Sequence, residues 1–222
     1  MHHKRTAVSI CAVLVIAAGI GINETGRAQT SQALGIFTGQ GSVGETTKGS
    51  MATYDPAKGE YRITGGGANM WADKDAFYFV WKKITGDATL QADIDWVGTS
   101  PVEHRKAVLI FRQNLDADSA YADAVSHGNG LTSLQFRGAA KEQSYQVFTN
   151  LQAPVRLRLV RKGTRFVMYY GKPDDYLSPL GPVEFITLNG EIYVGIGVCS
   201  HDITRLDTAI FTNVKLEQGS NY

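Results

Sequence analysis

Residues 111–128, FRQNLDADSAYADAVSHG, carry oxygen-bearing side chains at alternate positions: Asn114, Asp116 and Asp118. Such alternation opens an oxygen-ligated calcium loop, which then needs a glycine at its sixth position and a bidentate glutamate at its twelfth. Counted from Asn114, those places hold Ser119 and Val125, and starting at Asp116 fits worse. The stretch therefore reads as a hairpin connection whose Asp side chains cap their own backbone. Weak structural calcium is the alternative, and no other cofactor is expected. A second oxygen pair, Asp93 and Asp95 in ATLQADIDWVG, lies on one face of a strand two steps apart. It could bind a hydroxyl or a cation, but no glutamate flanks it to complete the paired carboxylates of a glycosidase. A solvated sheet face is the plainer reading.

Other motifs carry less. GQGSVG, residues 39–44, spells the dinucleotide pattern, yet turn and strand residues follow where a phosphate-binding helix is required. His104, His127 and His201 are distant in sequence and form no H-x-x-x-H zinc pair. Cys199 in VGIGVCSH reads as a buried small hydrophobe on a strand rather than a nucleophile.

The elements that must position these residues are strands. Short runs rich in Val, Ile, Phe, Tyr and Thr alternate with turn signals such as DPAKG, HGNG, RKGT and LNG. EYRITGGG, AFYFVWKKIT, ATLQADIDWVG, RKAVLIFRQ, AYADAVSH, LTSLQFRG, PVRLRLVRKG, RFVMYYGK, EFITL, EIYVGIGV and TAIFTNVKLE all read as strands. No window holds an apolar helical period of useful length. The fold expected is an all-β, antiparallel two-sheet jelly-roll sandwich. Parity assigns faces: Leu134 and Phe136 oppose Ser133, Gln135 and Arg137, and Trp96 joins Leu90, Ala92 and Ile94 on the apolar side. RKAVLIFR is apolar on both faces, as a central covered strand should be.

The N-terminus follows the layout of a secretory signal peptide: basic MHHKRT, the apolar run 7–22, then Gly26 and Ala28 ahead of a cut after Ala28. Domains are expected at 1–28 (signal) and 29–222 (sandwich), giving a secreted or periplasmic, monomeric protein with no membrane association after cleavage. The segment 1–28 accounts for +2 of the chain's net +1, leaving −1, so nothing in the charge argues for nucleic acid. Cys199 alone remains after the cut, so no internal disulfide forms.

Three segments together resemble a known family: KAVLIFR (106–112), LDADS (115–119) and GNGLTSLQFR (128–137). The resemblance is to the concanavalin A-like family of largely unknown function that includes the regulation-of-enolase protein. Similar domains occur at the end of some beta-xylosidases and beside TolB-type propellers. Val108 and Phe111 depart from the family pattern, which usually has glycine at the former. The resemblance implies a concanavalin A/laminin G-like jelly roll and offers no agreed catalytic residues. Its strand order would bring Asp93, Arg112, Gln135 and Arg137 onto adjacent strands.

Three functions are expected in turn. The first is a non-catalytic domain that binds glycan on the concave sheet through Asp93, Arg112, Tyr121, Asp123, His127, Gln135 and Arg137, with Trp71, Trp81 or Tyr121 stacking on sugar. The second is a carbohydrate-active hydrolase or lyase using Asp93, Asp95 or Asp123 with His127. The third is an envelope module whose partner is another protein. Arg137 has its own alternative, an ion pair with Asp93 or Asp123 that only ties strands.

Overall fold

The computed structural model describes residues 1–2, 34–183 and 185–219. Residues 3–28 of the expected signal segment, with its cut site, lie outside the described residues. Among the described residues there is no helix, and none is long and apolar enough to cross a membrane.

Period-two burial folds the chain into two antiparallel seven-stranded sheets. The first runs in the order β1 (Gly39–Val43), β6 (Phe77–Thr85), β15 (Glu191–Cys199), β8 (Lys106–Arg112), β9 (Tyr121–His127), β10 (Leu131–Arg137), β11 (Tyr145–Asn150). The second runs β14 (Ser178–Val183), β13 (Arg165–Gly171), β12 (Val155–Lys162), β7 (Ala88–Trp96), β16 (Asp202–Gln218), β3 (Glu60–Gly67), β2 (Met51–Asp55). A small hairpin, β4 (Met70–Trp71) and β5 (Lys74–Asp75), stands apart from both.

The main core lies between the sheets. Leu109 and Phe111 of β8 and Ala122 and Ala124 of β9 share it with Leu90, Ala92 and Ile94 of β7 and Leu157 and Leu159 of β12. Phe111 meets Phe166 edge-on across the gap, with ring centroids 5.9 Å apart. Trp96 packs on this core as its parity predicted, and the Arg105 guanidinium lies 4.2 Å from its ring centroid.

A second apolar cluster covers the outer face of the first sheet. Val108 and Ile110 of β8, Val125 of β9, Phe77 and Phe79 of β6 and Cys199 pack there under Met70 from the small hairpin. Every residue of β8 is therefore buried, as the two-faced apolar reading of RKAVLIFR required. The GQGSVG stretch has a packing role here: Gly39 of β1 faces Trp81, where a Cβ would come within 2.5 Å of the indole Nε1. Gly195 does the same from the other side, since a Cβ there would lie 1.9 Å from the Val80 carbonyl.

Strand reading missed β1, β2, β11, β14 and the small hairpin. EFITL is no strand: its described residues, 185–188, carry no regular structure, and Phe185 has a positive φ of 68°. Burial in EFITL comes from Ile186 and Leu188 packing on the core as a loop, so its alternation is real without a pairing partner.

Candidate functional site

The turn that opened the sequence reading is self-contained. Asn114 Nδ2 donates to Asp116 Oδ2 at 2.8 Å, and the Asp116 amide donates to Asn114 Oδ1 at 3.1 Å. The carbonyls of Asn114 and Asp116 accept from Arg112 at 2.7 and 2.6 Å. Among the described residues, no three His, Cys, Asp or Glu side chains are arranged to hold a metal ion.

Arg112 and Arg137 are on the outer face of the first sheet, as parity indicated for Arg137, but both are fully buried. The small hairpin folds over them and delivers Asp75. Arg137 grips this carboxylate bidentately at 2.9 and 3.0 Å, and Arg112 approaches it at 3.4 Å. Arg137 also donates to the carbonyls of Ala72 and Ser119, at 3.0 and 2.9 Å. Its guanidinium lies 4.9 Å from the ring centroid of Tyr121, whose hydroxyl bonds Ser144 at 3.1 Å. Both arginines and Tyr121 are fully buried, with none facing the open cleft. The tie across strands was anticipated for Arg137, but its partner is Asp75, not Asp93 or Asp123. Burial raises the Asp75 carboxyl, and the two guanidinium groups oppose that rise.

Asp93 is also misplaced by the sequence reading. It sits on β7 in the second sheet, where Arg156 Nη2 and Asn213 Nδ2 bond it at 2.6 and 2.7 Å. Asp95, exposed, accepts from the amide of Trp96 in the same strand. Neither can act with His127, which belongs to the first sheet. Asp123 does share that sheet, yet it is fully buried and neither carboxylate oxygen has a hydrogen-bond partner. Burial raises its carboxyl well above the usual range, against the pull of Lys106.

At the other end of the same three strands the face opens. A cleft of about 210 Å³ is lined by Asn69, Trp71, His104, Lys106, His127, Leu131, Gln135, Gln146 and His201. His127, Gln135 and Trp71 are the sequence candidates gathered here. Trp81 lies elsewhere on the sheet, tilted against Phe79 at 5.3 Å and edge-on to Tyr193 at 6.1 Å between ring centroids.

Register assembles the cleft. Cys199, Lys106 and His127 pair across β15, β8 and β9, which brings the residues just beyond those strand ends together. His104 thus lies with its ring centroid 5.7 Å from those of both His127 and His201. Lys106 Nζ donates to the Met70 carbonyl at 2.7 Å, to Asn69 Oδ1 at 2.8 Å and to Gln135 Oε1 at 3.4 Å. It lies 5.8 Å from the centroid of the Trp71 ring. Gln135 Nε2 donates in turn to Gln146 Oε1 at 3.1 Å. His127 is buried, with Nε2 3.4 Å from Ser133 Oγ and Nδ1 unpartnered. Burial, with help from Lys106 and the other two histidines, pushes its imidazole down to about 2. Burial likewise lowers the Lys106 ammonium and lifts the Cys199 thiol to about 11.

Asn69, His104, Lys106, Gln146 and His201 were not anticipated as site residues. Only Gln146 left a trace, as the polar face of an unread strand, YQVFTN.

No protein family model matches the chain, and no curated protein matches it in sequence. Solved structures match its fold. A functionally unknown protein from Saccharomyces cerevisiae superposes with a TM-score of 0.61 at 13% identity, covering 81% of this chain and 96% of that one. The carbohydrate-binding module CBM66 from Bacillus subtilis does so with 0.53 at 18%, covering 82% and 98%. A Bacillus licheniformis beta-glucanase gives 0.50 at 10%, covering 81% and 92%. Likeness at this identity defines the fold alone. The chain is an all-β sandwich with the concanavalin A-like jelly-roll fold.

Proposed function

We propose that the protein is an exported, non-catalytic recognition domain that binds carbohydrate in the cleft between the small hairpin and β8–β11. The observation that carries this reading is the lining itself. Three amides, Asn69, Gln135 and Gln146, stand beside the half-buried indole of Trp71. Planar amides match pairs of sugar hydroxyls, and an indole covers the apolar face of a sugar ring. Among the described residues no carboxylate lines the cleft, which favours binding over the paired-carboxylate cleavage of a glycosidic bond. The likeness of the scaffold to a carbohydrate-binding module agrees with this reading. The charge and hydropathy layout of the first 28 residues supports the export part of this reading.

The test is a glycan array of the purified protein with reducing-sugar and unsaturated-product release measured in parallel. Binding without release, lost in Trp71→Ala and Gln135→Ala, is the expected result. Turnover would make it an enzyme, and no glycan bound would leave an envelope protein as the partner.

A further inference from the structure

We propose that the cleft selects sugars bearing a carboxylate, uronic acid residues, over neutral sugars; this rests on the glycan-binding reading above and narrows it. Among the described residues the lining is donor-rich or cationic on its polar side: one ammonium, three imidazoles and three amides, with no Asp or Glu. A carboxylate is an acceptor only, and it is satisfied by such a set.

The cation at its centre is held in an unusual way. Lys106 is almost fully buried, yet no carboxylate forms an ion pair with it among the described residues. Neutral oxygens hold it instead: a backbone carbonyl, the Asn69 amide and, at a long 3.4 Å, the Gln135 amide. Asp123 beneath the floor does not bond it, and burial favours that carboxyl in its neutral form. On the same sheet face, by contrast, Arg112 and Arg137 both reach the carboxylate of Asp75, at 3.4 and 2.9 Å. Lys106 therefore lines the cleft with an ammonium that no carboxylate contacts directly, Asp123 and Asp75 acting on it only from a distance, and its burial strengthens attraction to an anion. The long bond to Gln135 is the one a ligand oxygen would replace.

Size and access agree. A volume of about 210 Å³ is room for roughly seven waters at ~30 Å³ each, which suits one sugar residue rather than a length of chain. His104 is exposed and His201 half-exposed, so their N–H groups meet solvent at the rim and can donate to the same anion. Trp71, against the Lys106 ammonium, is left to cover the ring of the sugar.

The experiment is calorimetric titration of the purified protein with tetra-mannuronate and tetra-galacturonate, against mannotetraose and α-1,4-galactotetraose. Expected is at least about a tenfold preference for a uronate over its neutral counterpart, shrinking as salt rises and screens the charge. Lys106→Gln should erase the preference. Because that buried residue affects folding, His104→Gln at the exposed rim serves as the second variant and should reduce the preference several-fold. Equal or tighter binding of a neutral tetramer overturns the charge selection and leaves carbohydrate recognition standing. A preference unchanged by salt and by both variants also overturns it. Binding of none of the four, with an array that is blank for all glycans, overturns the glycan reading together with this one.

Discussion

The two ends of β8, β9 and β10 hold similar residues and do opposite things. At one end Arg112, Tyr121 and Arg137 stand in register; at the other Lys106 pairs with His127, with Gln135 nearby. Both ends are basic, both lie on the outer face, and both are buried against the small hairpin. What differs is the residue that the hairpin brings. Asp75 closes the arginine end into an ion cluster, whereas Asn69, the Met70 carbonyl and Trp71 leave the lysine end charged and open. Whether a buried cation is closed into an ion cluster or left lining a cleft depends on what reaches it, and here that partner arrives from a segment more than thirty residues away.

Breaking the closed end should have the largest effect. Asp75→Asn leaves two buried guanidinium groups without their counter-ion and should cost about 3–5 kcal/mol in urea denaturation. Arg137→Lys should also destabilise, because a single ammonium cannot keep the fork that holds Asp75, Ala72 and Ser119. Native stability in both variants would erase the contrast between the two ends.

Acid probes the open end. His127 has its imidazole depressed to about 2 when folded, so below its unfolded value near 6.5 the unfolded chain binds the extra proton. Stability is present above pH 6.5 and lost as pH falls through that window, at up to ~1.4 kcal/mol per unit. His127→Gln should remove this part of the slope. Parallel pH–stability curves for the two proteins would show that His127 titrates freely.

Trp71→Ala should weaken glycan binding more than about tenfold, or ~1.4 kcal/mol, and leave the sheet circular dichroism spectrum intact. Full affinity in this variant would move the sugar platform away from the hairpin. The smallest effect belongs to the opening turn. Asp118→Asn should change stability by no more than about 0.5 kcal/mol, with millimolar calcium barely moving the melting temperature. A rise of many degrees, reversed by chelator, would place a cation there after all.

Much of the fold was legible before the structure. The alternation in LTSLQFRG and the doubly apolar KAVLIFR gave the faces of β10 and the central place of β8, because one buried face imposes a period of two. The apolar-side packing of Trp96 followed from the same parity, and the burial of Cys199 from its small apolar character on a strand. Edge and short strands were missed: GQGSV, MATYD and YQVFTN bury too little on either face to show a pattern. Of the candidate site residues, parity put Gln135 and Arg137 on one face, but it could not tell that Gln135 lines the cleft while Arg137 is sealed under the hairpin.

The sequence by itself determined the strands, their faces and the antiparallel sandwich, since these depend on local periodicity and turn chemistry. Only the tertiary structure decided which polar residues line the cleft. Asp93 went to the other sheet, the three histidines converged from separate strand ends, and one hairpin buried two arginines while walling a cleft around Lys106. Those outcomes depend on strand register and on which long-range carboxylate reaches which cation, and neither is encoded in any local stretch of residues.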